Sequence, residues 1–100
     1  MNPFAGEVAL VIDGQRHVAK LTLGALAELE TVLQADSLIA LIQRFEEGRF
    51  TTRDVLAVVV AGLRGGGWSG QASDLMTAEI APAEAARSAA LLLARAFALP

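Results

Sequence analysis

Two apolar-rich runs near the start of the chain flank Asp13-Gly14 in EVALVIDGQRHVAKL, whereas from residue 22 onward apolar residues recur at intervals of three and four. The first arrangement predicts a β-hairpin over residues 7–21, with strands at 7–12 and 15–21. Asp-Gly suits a two-residue type I′ turn, whose central residues need positive φ. That loop length sets the register: Ile12 opposite Gln15, Leu10 opposite His17, Val8 opposite Ala19 and Glu7 opposite Lys20. One face is then mainly apolar, and Glu7 with Lys20 is a candidate charge pair. A lone hairpin is marginal in water, so this one must lean on helices.

The spacing of three and four predicts those helices. Thr22 caps the first, over about 22–33, with Leu26, Leu29, Val32 and Leu33 on one side and Glu28, Thr31 and Gln34 on the other. A second spans about 37–47: Ser37 precedes a stripe of Leu38, Leu41, Ile42 and Phe45, Gly48 is a natural stop, and Ile39 falls outside the stripe near Glu46. In TTRDVLAVVVAGL the run Val58-Val59-Val60 would also suit a buried strand. Thr51 and Asp54 have the spacing of a capping box, however, and Val55, Leu56, Val59, Val60 and Leu63 form a broad apolar face. A helix over about 52–64 is favoured, and its apolar breadth places it at the centre.

SDLMTAEI suits a short helix over about 73–79, and Pro82 opens a last one over about 82–99. In that helix Ala86, Ala89, Ala90, Leu93 and Phe97 define the packing face. Glu84, Arg87, Ser88 and Arg95 define the opposite face, within which Leu91 falls. The predicted fold class is α+β and mostly helical, an N-terminal β-hairpin packed on a bundle of four or five helices, in a single domain over 1–100.

Composition narrows the function. Hydrophobic residues make up 54% of the chain and aromatics only 5%, so the interior must be built mainly from Ala, Leu and Val, which favours close helix packing. The absence of cysteine removes disulfides, thiolate metal sites and cysteine nucleophiles together. MNPFAGEVAL does not resemble a signal peptide, and AALLLARAFALP carries Arg95 and is far short of the roughly 20 apolar residues of a membrane span. A cytoplasmic location is the expectation. With a net charge of -3 and dispersed Lys and Arg, neither nucleic acid nor a membrane is an expected partner.

Candidate chemistry is sparse. In AGLRGGGWSG, Gly65, Gly67 and Gly70 form a literal G-x-G-x-x-G, but the residues before it read as helix rather than strand. The glycines then lie at a helix C-terminus, whose partial negative charge repels phosphate, and they serve to end the helix and turn the chain. His17 is the sole histidine and has no second ligand at metal-binding spacing. Glu46 and Glu47 point about 100° apart on a helix and read as a solvated end. No serine sits in G-x-S-x-G, although Ser37, Ser69, Ser73 or Ser88 could meet His17 in three dimensions. The expectation is a protein that is not an enzyme and uses no cofactor or metal.

More informative is the surplus of apolar side chains, which a chain of this size cannot bury completely. Ile39 off its stripe, Leu91 on a polar face, and Phe97 and Leu99 at the end are candidate partner-binding residues, able to meet a partner helix or another copy of the chain. The alternative is scattered surface side chains. Trp68 is either a lid over helix ends or an anchor for a partner.

The order of features, LVIDGQRHVAKLTLGALAELE followed by SLIALIQRFEEGRFTTRDVLAVVVAGLRGGG, resembles the small gene transfer agent proteins grouped with phage tail assembly chaperones. The resemblance rests on Asp13-Gly14, Leu21 to Leu26, Ser37-Leu38 and Gly62 to Gly67, and the C-terminal helix departs most from it. It implies a non-enzymatic chaperone of a gene transfer agent or prophage, holding the tail tape measure protein or other tail proteins during assembly in the bacterial host cytoplasm. The family also carries the label of tail tube protein. That alternative implies a structural, virion-associated subunit, and a small regulatory binding module is a third class.

Overall fold

Asp13 and Gly14 both adopt positive φ, 52° and 75°, which closes the two-residue turn between β1 (Val8–Ile12) and β2 (Gln15–Ala19). This computed structural model describes residue 2, residues 5–34 and residues 37–98. The antiparallel register pairs Ile12 with Gln15, Leu10 with His17 and Val8 with Ala19, as the turn dictates. Pairing stops there. The Lys20 N–H turns to the Gly62 carbonyl at 2.8 Å, and the Glu7 carboxylate accepts from the Asn2 backbone N–H. Val8, Leu10, Ile12 and Ala19 are buried on the inner face of the hairpin, while Val11 and Val18 face out.

Among the described residues five helices follow: α1 (Leu23–Leu33), α2 (Leu38–Glu46), α3 (Thr52–Gly65), α4 (Ala72–Met76) and α5 (Pro82–Ala96). Their starts follow from local chemistry. The Thr22 hydroxyl accepts from the Ala25 N–H, and the Ser37 hydroxyl from the Ala40 N–H. Thr51 and Asp54 complete a reciprocal capping box at 3.1 and 2.9 Å. Pro82 occupies the first turn of α5, where its missing N–H costs nothing. α4 is shorter than its pattern predicts and begins one residue earlier, with the Gln71 N–H donating to the Asp74 carboxylate at 2.7 Å.

α3 is the centre of the fold, packing on α1, α4, α5 and β2, while α5 also covers β1. Val58, Val59 and Leu63 are essentially inaccessible, and the buried residues form one cluster that includes Leu10, Leu29, Leu41 and Leu92. Close approach along α3 depends on glycine. A Cβ on Gly62 would lie 2.7 Å from Leu92 Cδ1; one on Gly65 would lie 2.0 Å from the Lys20 carbonyl oxygen, and one on Gly66 would lie 2.1 Å from that of Val18. The glycine run is thus the seam on which β2 docks, in addition to the turn expected of it.

Two helix faces differ from expectation. On α5 the buried set is Ala85, Ser88, Ala89, Leu92 and Leu93, so Ser88 is inside and Ala90 outside. Among so many alanines the apolar stripe carries little directional signal, and close packing selects small side chains, a serine included. On α1, Ala25 and Leu29 are buried, but Val32 is 64% exposed because no element closes over that flank.

Candidate functional site

α3 is apolar around most of its circumference, yet its neighbours cover only part of it. Two open grooves result, one on each side, and Leu56 lines both. The first, of about 960 Å³, runs between α1 and α3 and is walled by Leu29, Val32 and Leu33 from α1 and by Leu56, Ala57 and Val60 from α3. The second, of about 690 Å³, lies among α3, α4 and the start of α5, with Phe50, Val59, Leu75, Met76 and Ile80 in its lining. Phe50 is held there by stacking on Phe45 of α2, with ring centroids 4.7 Å apart.

Charged residues frame the first groove only. Near the α3 N-terminus Arg44 grips Asp54 bidentately, with both N–H to oxygen distances 2.9 Å. Asp54 Oδ2 also accepts from the Thr51 N–H. Burial raises the Asp54 carboxyl, but the Arg44 and Thr51 hydrogen bonds outweigh it, so its pKa lies below the ordinary aspartate value. At the other end Arg64 holds Glu28 of α1 at 3.1 and 3.2 Å. The hydrogen bond from Arg64 lowers the Glu28 pKa, and Arg64 also donates to the Gly70 carbonyl at 3.0 Å. Arg53, exposed on the first turn of α3, lines the same groove and has no hydrogen bond or ion pair among the described residues.

The residues singled out from the sequence are dispersed. Ile39 is 69% exposed on α2, Leu91 and Phe97 are partly exposed on and after α5, and none of the three lines either groove. Leu91 and Phe97 stand six residues apart, about 120° around a helix axis, and so occupy different flanks. Leu99 lies outside the described residues. Trp68 is half-buried against the core, and its backbone N–H donates to the Leu63 carbonyl at 2.9 Å. The groove-lining Val32, Phe50 and Met76 were not singled out: Val32 carries the periodicity of a packing residue, and only the placement of neighbouring elements leaves it open.

The G-x-G-x-x-G begins on the last residue of α3, and the N–H groups that follow are turned back onto the helix: Gly66 donates to the Gly62 and Leu63 carbonyls, and Gly67 donates to the Arg64 carbonyl. This is not the geometry of a phosphate cradle. His17 is half-buried on β2, and Ser88 is buried within α5. Among the described residues no cluster of His, Asp and Glu has the arrangement of a metal site, and no helix is long and apolar enough to cross a membrane.

No curated protein and no solved structure matches the chain. One family model does, over residues 5–99, nearly the whole length and including the C-terminal helix, whose motifs depart most from the resemblance. The chain therefore belongs to the phage tail family described as phage tail tube protein, GTA-gp10.

Proposed function

We propose that this protein is a tail assembly chaperone of a gene transfer agent or prophage, binding apolar stripes on the helical tape measure protein, without catalysis, in the bacterial cytoplasm. The observation that carries this reading is the pair of open, apolar, helix-lined grooves flanking α3. A groove between helices is the shape that accepts a further amphipathic helix, through apolar residues three and four positions apart. Membership of a phage tail family supplies the context in which such a partner exists. A tape measure helix outruns a single groove, and Ile39, Leu91 and Phe97, together with Trp68 and Leu99, are the candidates for additional contact. Release follows when tube subunits compete for the same stripe.

The family description itself favours a second reading, a structural subunit of the tail tube. The two readings differ in stoichiometry. Quantitative mass spectrometry of purified particles finds a chaperone absent and a tube subunit in many copies per particle. Abundant incorporation would replace the first reading with the second.

A further inference from the structure

The two grooves are not equivalent. The second has no charged residue in its lining, and nothing there specifies an occupant. The first carries an unbalanced charge, because Arg44 and Arg64 are matched by Asp54 and Glu28 whereas Arg53 forms no ion pair among the described residues. Arg53 also stands in the first turn of α3, where the helix dipole disfavours a cation.

We propose that the groove between α1 and α3 takes one amphipathic helix from another polypeptide, its apolar stripe seated on Val32, Leu33, Ala57 and Val60 and a carboxylate on its flank paired with Arg53. The length of the site follows from α3. Arg53 and Arg64 are eleven positions apart, about 16 Å along the axis, so the occupying segment is roughly three turns long. The bound segment covers the flank of α3 that faces α1 and pairs a carboxylate with Arg53. A basic helix of the same apolar pattern meets Arg53 with like charge and is rejected. This rests on the reading of the protein as a tail assembly chaperone and names the class of segment and the residues that receive it.

The test pairs a charge reversal with a direct binding probe. Two synthetic 14-residue amphipathic peptides share one apolar stripe and carry either Glu or Lys on the flanks; both are titrated into the full chain while backbone amides are followed by NMR. The Glu peptide shifts Val32, Leu33, Ala57 and Val60, and Arg53→Glu weakens it by about fivefold while improving the Lys peptide. The difference shrinks at about 1 M salt. Because an acidic residue suits the first turn of α3, Arg53→Glu leaves the unfolding midpoint unchanged or raised, which separates binding from folding. Val32→Asp, at an already exposed position, weakens either peptide. Equal binding of both peptides, or shifts confined to the groove at Phe50 and Met76, overturns the assignment. Copurification with the tape measure protein, measured on the same variants, separates the two claims. If the unmodified chain copurifies and neither variant weakens that binding, the groove assignment fails while the chaperone reading stands. If the unmodified chain does not copurify, the chaperone reading fails.

Discussion

Asp13 and Glu79 are joined in both directions: the Asp13 N–H donates to the Glu79 carbonyl at 2.9 Å, and the Glu79 N–H donates to Asp13 Oδ1 at 2.7 Å. The tip of the hairpin is thereby tied to the segment that leads into α5, a closure between positions 66 residues apart. Asp13 serves twice, once by tolerating φ of 52° and once as an acceptor. Asp13→Ala loses both and is expected to cost about 1–2 kcal/mol in chemical denaturation. Asp13→Asn keeps an oxygen and the same backbone tolerance, and should remain within about 0.5 kcal/mol of the parent.

The glycines of the chain divide by what surrounds them. Gly65→Ala and Gly66→Ala drive a Cβ into the backbone carbonyls of Lys20 and Val18, respectively, and should each destabilise by about 2–4 kcal/mol, or prevent folding. Gly24→Ala has only the Thr22 hydroxyl at 3.8 Å and lies within α1, so it should raise stability by about 0.5 kcal/mol. Melting temperatures of the three variants place them in this order.

Asp54 predicts an acid limb. Its pKa is lower in the folded state than in the unfolded chain, so its stabilisation is fully present above the unfolded value of about 3.9 and is lost as pH falls through the folded value. Unfolding free energy should therefore decline below about pH 4. In Asp54→Asn this part of the decline is absent, and stability at pH 7 is lower by about 1–3 kcal/mol. Denaturation midpoints from pH 2 to pH 7 for both chains check the prediction.

Leu91→Asp addresses the outlying contacts. Leu91 is 36% exposed, so the fold should survive, with a circular dichroism spectrum like that of the parent. Copurification with the tape measure protein should weaken, by less than Val32→Asp weakens it. Unchanged binding would remove Leu91 from the contact surface.

The hairpin, its register and the helix starts were legible because each is set by neighbours in sequence: Asp13-Gly14 allows one two-residue turn, and Thr22, Ser37 and Thr51 each satisfy an N–H three residues ahead. The central position of α3 was legible from its apolar breadth. The α5 face was not, since Ser88 differs from its alanine neighbours by one oxygen and is buried for its size. Nor were the grooves, which arise where α1 and α3, or α3, α4 and α5, fail to close on each other. Val32 reads as core in the linear pattern because periodicity reports which side of a helix is apolar, and it does not report whether anything covers that side. The glycine run was legible as a turn, whereas its docking against Val18 and Lys20 depends on residues more than forty positions earlier in the chain.

The most direct measurement is coexpression of the tape measure protein with and without this chain, followed by fractionation and pull-down on the chain. The tape measure protein is expected to be soluble and to elute with the chain when both are made, and to aggregate when the chain is omitted or carries Val32→Asp. A tape measure protein that partitions identically in every case, with none retained on the chain, would contradict the chaperone reading.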